Sequence, residues 1–223
     1  MKASFDKSWD RIYDKGLQLN KYPFLDFVTF YHYFKKNKKN KINFLEIGCG
    51  FGNNLDFVAK FSDNIYGIDA SKPVIKLAKK KFYENNININ LFVQDFTNIK
   101  FKNNFFDFVL NREALTTVNY KNAFKAVKES SRVLKKNGFM YSTFVSNLNT
   151  YNGTEINDIT INLKGNYSNV KSLRFYNIFE IRDIFEQNNF KIESLQLVQK
   201  TNFITKPIDT VSYWVVISKK IKN

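Results

Sequence analysis

The sequence Leu45-Glu46-Ile47-Gly48-Cys49-Gly50-Phe51-Gly52 places three glycines at alternate positions directly after an apolar run. Residues 42–47 predict a short strand, and Leu55, Val58 and Ala59 predict a helix that follows the glycines. Glycines between a strand and a helix allow a sharp backbone turn and a close approach of a ligand to the main chain. This loop is therefore the first candidate for a binding site.

Two phosphate-binding patterns do not fit the glycine loop. The dinucleotide fingerprint G-x-G-x-x-G requires a glycine three residues after Gly50, where Asn53 stands. The P-loop requires Gly-Lys-Ser/Thr, and Asn53-Asn54-Leu55 does not supply it. The pattern that remains is Glu-x-Gly-x-Gly-x-Gly, without a lysine that would hold a phosphate.

Strands and helices alternate outward from this loop. Together with 42–47, the predicted strands cover residues 64–68, 87–93, 105–110, 139–145, 190–197 and 211–217. Helices are predicted over 23–36, after an N-cap at Ser71, over 120–134 with a stop signal at Asn137-Gly138, and over 177–188. The segment 146–173 is expected to be an elaborated loop or small insertion. This order predicts an α/β fold with a doubly wound, mostly parallel seven-stranded sheet.

Acidic residues end three successive predicted strands. Glu46 and Asp69 lie at the ends of the first and second strands, and Asp95 follows the third. In an open α/β sheet, ligands bind outside the carboxyl ends of the strands. A carboxylate at Asp69 can accept ribose hydroxyls, and Asp95 can accept from an adenine amino group beside Phe96. The three acids predict a site for a nucleoside that carries no phosphate.

The ordered motifs resemble those of the class I S-adenosylmethionine-dependent methyltransferases. They are Leu45–Gly52, Ile65–Asp69, Gln94–Phe96, Phe106–Asn111 and Leu134–Phe139. The resemblance implies S-adenosylmethionine as methyl donor and S-adenosylhomocysteine as product. It implies cofactor contacts from Trp9, Tyr22, Glu46, Gly48, Gly50, Asp69, Ala70, Asp95, Phe96 and Asn111. A tight turn in an unrelated α/β protein is the alternative interpretation of the glycines.

The N-terminal segment is similar to that of relatives in which it folds over the cofactor as a lid. Trp9, Tyr13 and Tyr22 would then exclude water, and the alternative is that they pack the first helix. We expect one domain over 1–223, comprising an N-terminal helical lid (1–40), a cofactor-binding core (41–145) and a substrate-side insertion that completes the sheet (146–223).

Charge and composition narrow the chemistry. The chain has 35 Lys and Arg against 20 Asp and Glu, which raises the question of an anionic partner, although an AT-rich genome also favours lysine. Cys49 and His32 are the sole cysteine and histidine, which argues against disulfides, the usual zinc sites and a histidine-based triad. Neither a signal peptide nor a membrane-spanning run is expected, so the predicted location is cytoplasmic.

Scarce histidine and abundant cations predict the class of acceptor. Some relatives carry an acid at Asn111 and a histidine at Thr117, so an inherited general base is in doubt here. Glu113 and Tyr13 remain candidate bases, whereas an anionic oxygen needs no base and would be held by Arg112, Arg174 and Lys21.

We therefore expect O-methylation of an anionic or nucleotide-linked small molecule, such as a phosphate, phosphoramidate or sugar. A weaker similarity points to enzymes of bacterial capsule or surface-polysaccharide biosynthesis. The alternatives are a tRNA or rRNA methyltransferase and a non-catalytic relative that binds the cofactor. Nucleic acid is disfavoured because the sequence indicates no appended RNA-binding module, and because Asn111 leads into Arg-Glu after the fourth strand, where many base N-methyltransferases carry Asn/Asp-Pro-Pro-Tyr/Phe. Membrane partners are not expected, and the oligomeric state is not predicted.

Overall fold

The computed structural model describes residues 6–36, 38, 40–61, 64–150, 154–156, 158–161, 163, 170–205 and 208–222. The helices are α1 (Ser8–Asp14), α2 (Leu25–Lys36), α3 (Asn53–Ala59), α4 (Lys72–Glu84), α5 (Tyr120–Val133) and α6 (Ile178–Glu186), with a 3₁₀ helix at Ala114–Thr117. The strands are β1 (Asn43–Ile47), β2 (Asn64–Asp69), β3 (Asn90–Val93), β4 (Phe106–Arg112), β5 (Leu134–Val145), β6 (Thr154–Ile156), β7 (Ile159–Ile161), β8 (Ser172–Leu173), β9 (Phe190–Asn202) and β10 (Asp209–Lys220).

Seven strands form one sheet in the order β3-β2-β1-β4-β5-β10-β9. Strands β1 to β5 run parallel, and β10 is antiparallel to both β5 and β9. The predicted mostly parallel, seven-stranded α/β sheet is confirmed. Strand β1 pairs with β2 on one side and β4 on the other, so the order reverses there. The carboxyl ends of these three strands form the crevice in which open α/β sheets bind ligands.

Apolar side chains alternate along the central strands and build a core on each face of the sheet. Leu45 and Val109 belong to the core beneath α5 and α6, whereas Phe44 and Phe108 belong to the core beneath α2, α3 and α4. Phe27, one of the apolar residues at helical spacing in α2, is fully buried in the second core. Its ring lies 5.6 Å from that of Tyr141 on β5. Helix α2 is therefore a covering helix of the sheet.

The predicted end of α5 is wrong. The helix ends at Val133, and Leu134 already has an extended backbone and pairs with Phe106. Leu134 is fully buried, and its packing in the sheet ends the helix before the expected stop signal at Asn137-Gly138. Asn137, with a φ of 63°, lies instead at the irregular start of β5, where the pairing with β4 changes register.

Two other local expectations also differ. Ser71 precedes α4 as predicted, but its side chain does not cap the helix, because its hydroxyl donates to Asp10 Oδ1 at 2.6 Å. Strand β3 begins at Asn90, whereas the N–H of Ile87 donates to the carbonyl of Phe82 and closes α4. Strands β9 and β10 are longer than expected because they pair with each other over their whole length.

The insertion between β5 and α6 contains a small antiparallel sheet in the order β6-β7-β8. The backbone N–H of Arg174, just after β8, donates to the carbonyl of Thr116 at 2.7 Å and ties this sheet to the 3₁₀ helix. In the part of the chain that is described, no helix is both long and apolar enough to cross a membrane.

Candidate active site

A cavity of about 650 Å³ lies at the carboxyl ends of the parallel strands. The loops after β1, β2 and β4 form its floor, the segment before α2 borders it, and the β9–β10 hairpin adds one wall. The lining includes Trp9, Tyr13, Lys21, Tyr22, Phe24, Glu46, Gly48, Gly50, Asn54, Asp69, Ala70, Phe96, Arg112, Glu113, Lys200 and Tyr213. Most of the predicted site residues therefore surround one cavity.

The glycine loop has the backbone conformation that its sequence predicts. Gly48 and Gly50 have φ values of +65° and +53°, in the left-handed region that favours glycine. A Cβ on Gly48 would lie 2.2 Å from the Cβ of Ala114, so the loop after β1 is packed directly against the 3₁₀ helix after β4. A side chain at Gly48 would separate two walls of the cavity.

Asp69 lies at the end of β2 and holds the neighbouring loops. Its Oδ2 accepts the N–H of Gly50 at 2.9 Å, and its Oδ1 accepts the N–H of Ser71 at 2.9 Å. Burial raises the pKa of Asp69 to about 6, the two backbone hydrogen bonds oppose the rise, and the charge of Asp10 adds to it. The carboxylate is thus in place, with lone pairs left for further donors.

Glu46 is buried at the end of β1 with one oxygen unpartnered. Its Oε1 accepts from Asn54 Nδ2 at 2.7 Å, whereas Oε2 has no hydrogen-bond partner among the described residues. Burial raises the pKa of Glu46 to about 8, against the hydrogen bond from Asn54. A buried acceptor without a partner is unfavourable, so this atom indicates the position of a ligand that donates hydrogen bonds.

Helix α1 packs beside the ends of β1 and β2, at one end of the cavity. Trp9 and Tyr13 have ring centroids 5.7 Å apart, and Asp10 is held by the hydroxyl of Ser71. Tyr13 is buried, and its burial, with the charges of Asp69 and Cys49, raises the pKa of its phenol. A phenolate base at Tyr13 is therefore disfavoured. Tyr22, by contrast, is 84% exposed at the rim of the cavity.

The opposite end of the cavity carries cations. Arg112 forms an ion pair with Glu113, and its guanidinium carbon lies 3.7 Å from the centroid of the Phe24 ring. Glu113 has a φ of 57°, and its N–H donates to Thr143 Oγ1 at 3.1 Å. Lys21 and Lys200 also line the cavity, and within the described ranges neither forms an ion pair with a carboxylate.

Three predicted site residues do not line the cavity. Arg174 is buried and forms ion pairs with Asp158 and Glu180, so its charge is neutralised within the protein. Asn111 is fully buried, and its Oδ1 accepts the N–H of Leu115 at 3.2 Å. Asp95 Oδ1 accepts both the N–H and the hydroxyl of Thr97 at 2.8 Å. Asn111 and Asp95 shape the two loops that carry lining residues.

The cavity also contains residues that the sequence did not indicate. Lys200 and Tyr213 come from the β9–β10 hairpin, far along the chain from the glycine loop. Asn54 is 1% exposed on a helix whose other buried side chains are apolar. In the sequence, the signal for it is a polar residue directly before the apolar positions Leu55 and Val58. Among the described residues, no three histidine, cysteine, aspartate or glutamate side chains form a group suited to a metal ion.

Known proteins share this region. A family profile described as a methyltransferase domain matches residues 45–142, from the glycine loop to β5. A ubiquinone biosynthesis O-methyltransferase of Pelagibacter ubique is 39% identical over 108 residues, which are 48% of this chain and 42% of that protein. An uncharacterised protein of Methanocaldococcus jannaschii is 30% identical over 196 residues, covering 84% of this chain and 76% of that protein. The chain belongs to the class I S-adenosylmethionine-dependent methyltransferase family.

Solved structures agree with the methyltransferase fold. A SAM-dependent methyltransferase of Methanosarcina mazei has a TM-score of 0.69 and 17% identity, over 86% of this chain and 98% of that chain. Methyltransferases of this family take S-adenosylmethionine as cosubstrate, which confirms the expected methyl donor. The match to the Pelagibacter enzyme spans less than half of that relative's length.

Proposed function

We propose that this methyltransferase transfers the methyl group of S-adenosylmethionine to an oxygen of an anionic or nucleotide-linked small molecule. One observation carries the proposal: Arg112, Lys21 and Lys200 border the acceptor end of the cavity, and the carboxylate there, Glu113, is already paired with Arg112. Lys21 and Lys200 have no carboxylate partner among the described residues, and Arg112 keeps further N–H donors beside the one that meets Glu113. These groups favour an anionic acceptor, which they would hold by charge-assisted hydrogen bonds.

The chain's residues fit the methyl donor. The unpartnered Oε2 of Glu46 suits the ammonium group of the methionine moiety, beside the main chain of Gly48 and Gly50. The Asp69 carboxylate suits the ribose hydroxyls, and the ring of Phe96 offers an apolar surface for adenine. We assign Ala70, Trp9 and Tyr22 to the same bound molecule as lining residues. Asp95 and Asn111 act on it through the loops that they hold.

Alignment and exclusion of water supply the catalysis in this proposal. The donor, when bound, presents its methyl group on a sulfonium for in-line displacement. An acceptor oxygen forms the O–CH₃ bond as the S–CH₃ bond breaks, and S-adenosylhomocysteine leaves with the electron pair. Arg112 and the two lysines orient the oxygen, while Trp9 and Tyr13 keep water from the reacting atoms.

An anionic oxygen also agrees with the candidate bases. A neutral hydroxyl would require removal of a proton, and the described cavity lining contains no histidine. Glu113 is engaged with Arg112, and the phenol of Tyr13 keeps its proton. A phosphate or phosphoramidate oxygen arrives without that proton. These features support an acceptor that is ionised before it binds.

The biological setting is a broader part of the proposal. Biosynthesis of a bacterial capsule or surface polysaccharide in the cytoplasm provides phosphorylated and nucleotide-linked acceptors, and the support for it is the sequence similarity alone. The ubiquinone O-methyltransferases among the relatives support O-methylation of small molecules in general. A tRNA or rRNA acceptor remains the main competing class, and the lysine-rich composition is the observation in its favour.

A paired assay tests the acceptor class. The purified protein is incubated with S-adenosylmethionine and panels of sugar phosphates, phosphoramidates, nucleotide sugars, neutral sugars and tRNA, and products are identified by mass. We expect methylated anionic small molecules, with KM raised about tenfold or more in Lys21→Ala and Lys200→Ala. The matched control is Lys136→Ala, an exposed lysine outside the cavity lining, which should leave KM unchanged. Turnover of neutral acceptors only, or of tRNA only, would refute the proposal.

A further inference from the structure

Asn54 lies between the two ends of the cavity. We propose that it is a positioning residue that couples the donor site to the acceptor end through Phe24 and Arg112. The inference rests on the proposed function, because it takes Glu46 as a donor contact and Arg112 as an acceptor contact. The coupling runs through three contacts of the folded chain, from Glu46 to Asn54, from Asn54 to Phe24 and from Phe24 to Arg112, and it requires no domain movement.

The first step joins Asn54 to Glu46. Asn54 is 1% exposed, and its Nδ2 donates to Glu46 Oε1 at 2.7 Å. With one oxygen fixed in this way, the carboxylate presents its second, unpartnered oxygen in one direction. Asn54 therefore sets the orientation of the group that receives the donor's ammonium.

The second step joins Asn54 to the segment that enters α2. Its Oδ1 accepts the backbone N–H of Phe24 at 3.0 Å. A backbone N–H can only donate, so the bond from Phe24 fixes Oδ1 of Asn54 as its acceptor and turns Nδ2 towards Glu46. One side chain thus connects Glu46 to Phe24 with both of its polar atoms engaged.

The third step joins Phe24 to Arg112. The guanidinium carbon of Arg112 lies 3.7 Å from the centroid of the Phe24 ring. The centroid of the Phe24 ring lies in turn 5.5 Å from that of Tyr213 on β10. The position of Phe24 therefore limits where the guanidinium can lie. A carboxylate, an amide, an aromatic ring and a guanidinium form one continuous link across the cavity.

The link predicts that donor occupancy stabilises the acceptor end. Burial and the charge of Asp69 raise the pKa of Glu46, whereas the hydrogen bond from Asn54 and the charges of Arg112 and Lys81 oppose that rise. Ionised Glu46 accepts a stronger, charge-assisted hydrogen bond from Asn54 than the neutral acid does. A ligand whose ammonium favours the ionised form strengthens that bond. The amide of Asn54 is then held more firmly, and with it the main chain of Phe24 and the ring beneath Arg112.

Hydrogen exchange at the Phe24 amide, combined with S-adenosylhomocysteine titration by calorimetry, tests the coupling. In the wild type, S-adenosylhomocysteine should slow exchange of this amide about tenfold or more. Asn54→Ala should weaken S-adenosylhomocysteine binding about tenfold or more and abolish the ligand-dependent protection. The matched control, Asn188→Ala, removes another buried asparagine that is hydrogen-bonded to Ile184. Asn188→Ala should change neither the affinity for S-adenosylhomocysteine nor the protection of the Phe24 amide by the ligand.

Two further variants separate the steps. Asn54→Asp keeps the acceptor for the Phe24 amide but can donate to Glu46 only when its new carboxyl is protonated. Two carboxyls this close repel each other once both are ionised, which raises the pKa of the pair. The rise of S-adenosylhomocysteine affinity with pH should therefore extend to a higher pH than in the wild type. Phe24→Leu keeps the backbone hydrogen bond and removes the ring beneath Arg112, so it should preserve S-adenosylhomocysteine affinity and raise KM for the anionic acceptor.

The outcomes distinguish the coupling from the proposed function. If Asn54→Ala retains both wild-type affinity and ligand-dependent protection, or if Asn54→Asp shows the wild-type pH profile, the coupling is overturned while the function stands. If the wild-type protein does not bind S-adenosylhomocysteine, the proposed function fails and the coupling fails with it.

Discussion

The carboxylate of Asp69 accepts the backbone N–H of Gly50 at 2.9 Å, so the end of β2 fixes the glycine loop that follows β1. The same carboxylate accepts the N–H of Ser71 at the start of α4. Asp69 therefore links two loops of the cavity floor, and we propose that it also binds the ribose. Substitutions at this residue are expected to affect both loop order and donor affinity.

Asp69→Asn and Asp69→Ala should differ in a defined way. Asparagine keeps one acceptor oxygen, so we expect about tenfold weaker binding of S-adenosylhomocysteine. Alanine removes the acceptor of both the Gly50 and the Ser71 N–H groups and should weaken binding about a hundredfold. Calorimetric titration gives the affinities, and thermal unfolding reports the loss of stability. Unchanged affinity in Asp69→Ala would exclude the assigned ribose contact.

Donor binding should depend on pH because the two buried carboxyls are partly protonated near neutrality. The pKa is about 8 for Glu46 and about 6 for Asp69, and a donor that favours the ionised forms must displace those protons. Affinity for S-adenosylhomocysteine should rise by up to about tenfold per pH unit between the two pKa values, where only Glu46 loses a proton, and by up to about a hundredfold per unit below the lower one, where both groups do. Calorimetry in buffers of different ionisation enthalpy should show proton release. Glu46→Gln should remove the part of the pH dependence that extends to about pH 8, and its persistence would contradict the assignment.

Stability of the ligand-free protein should change with pH in the opposite sense. Folding raises both pKa values, from 4.5 to about 8 for Glu46 and from 3.8 to about 6 for Asp69. The folded state therefore binds more protons than the unfolded state between these limits. The contribution of the two groups to stability is present below about pH 4 and is lost as pH rises through 6 and then 8. Urea unfolding of wild type and Glu46→Gln across this range measures it, and a flat difference between them would contradict the raised pKa.

Gly48→Ala tests the close packing of the glycine loop. The new Cβ would meet that of Ala114 at 2.2 Å, and the backbone φ of +65° adds strain, so we expect a loss of stability of about 3 kcal/mol. Gly16→Ala is the matched control, because its φ is +70° with nothing within 4 Å, and it should lose only about 1 kcal/mol. Adding Ala114→Gly to Gly48→Ala should recover the steric part. Equal losses in the two glycine variants would contradict the packing argument.

The sequence predicted the elements whose structure depends on residues that are near one another in the chain. The spacing of apolar residues identified α2, and the strand–glycine–helix order identified the loop that carries Gly48. Leu134 was misplaced because its pairing with Phe106 is a tertiary contact that overrides a helix stop signal. Lys200 reaches the cavity on a hairpin from the end of the chain, and no feature of its own neighbourhood indicates that.

Arg174 shows why a charge alone does not predict a ligand contact. It stands near the predicted helix start as a cation, but Asp158 and Glu180 neutralise it in the fold. The carboxylate of Asp158 comes from the insertion, a segment whose structure the sequence pattern left open. Burial and pairing decide whether a cation is available to a substrate, and both depend on residues distant in sequence.

Arg174→Met should therefore act on stability. Removal of a buried guanidinium that holds two carboxylates is expected to lower the free energy of unfolding by about 3 kcal/mol or more, with little change in acceptor KM. Arg182→Met breaks an exposed ion pair with Glu186 and should change stability by about 0.5 kcal/mol or less. Urea unfolding compares the two variants. If Arg174→Met had wild-type stability and a strongly raised KM, Arg174 would be an acceptor contact and the structural role assigned to it would be wrong.

The most direct test of the account is transfer of a labelled methyl group from S-adenosylmethionine to the two classes of small-molecule acceptor, ionised and neutral, by the wild-type protein and by Arg112→Ala. We predict methyl esters or ethers of phosphate-, phosphoramidate- or nucleotide-bearing acceptors, with activity strongly reduced in Arg112→Ala. Methylation confined to neutral acceptors, with Arg112→Ala as active as the wild type, would contradict the assignment of an anionic acceptor to this cavity.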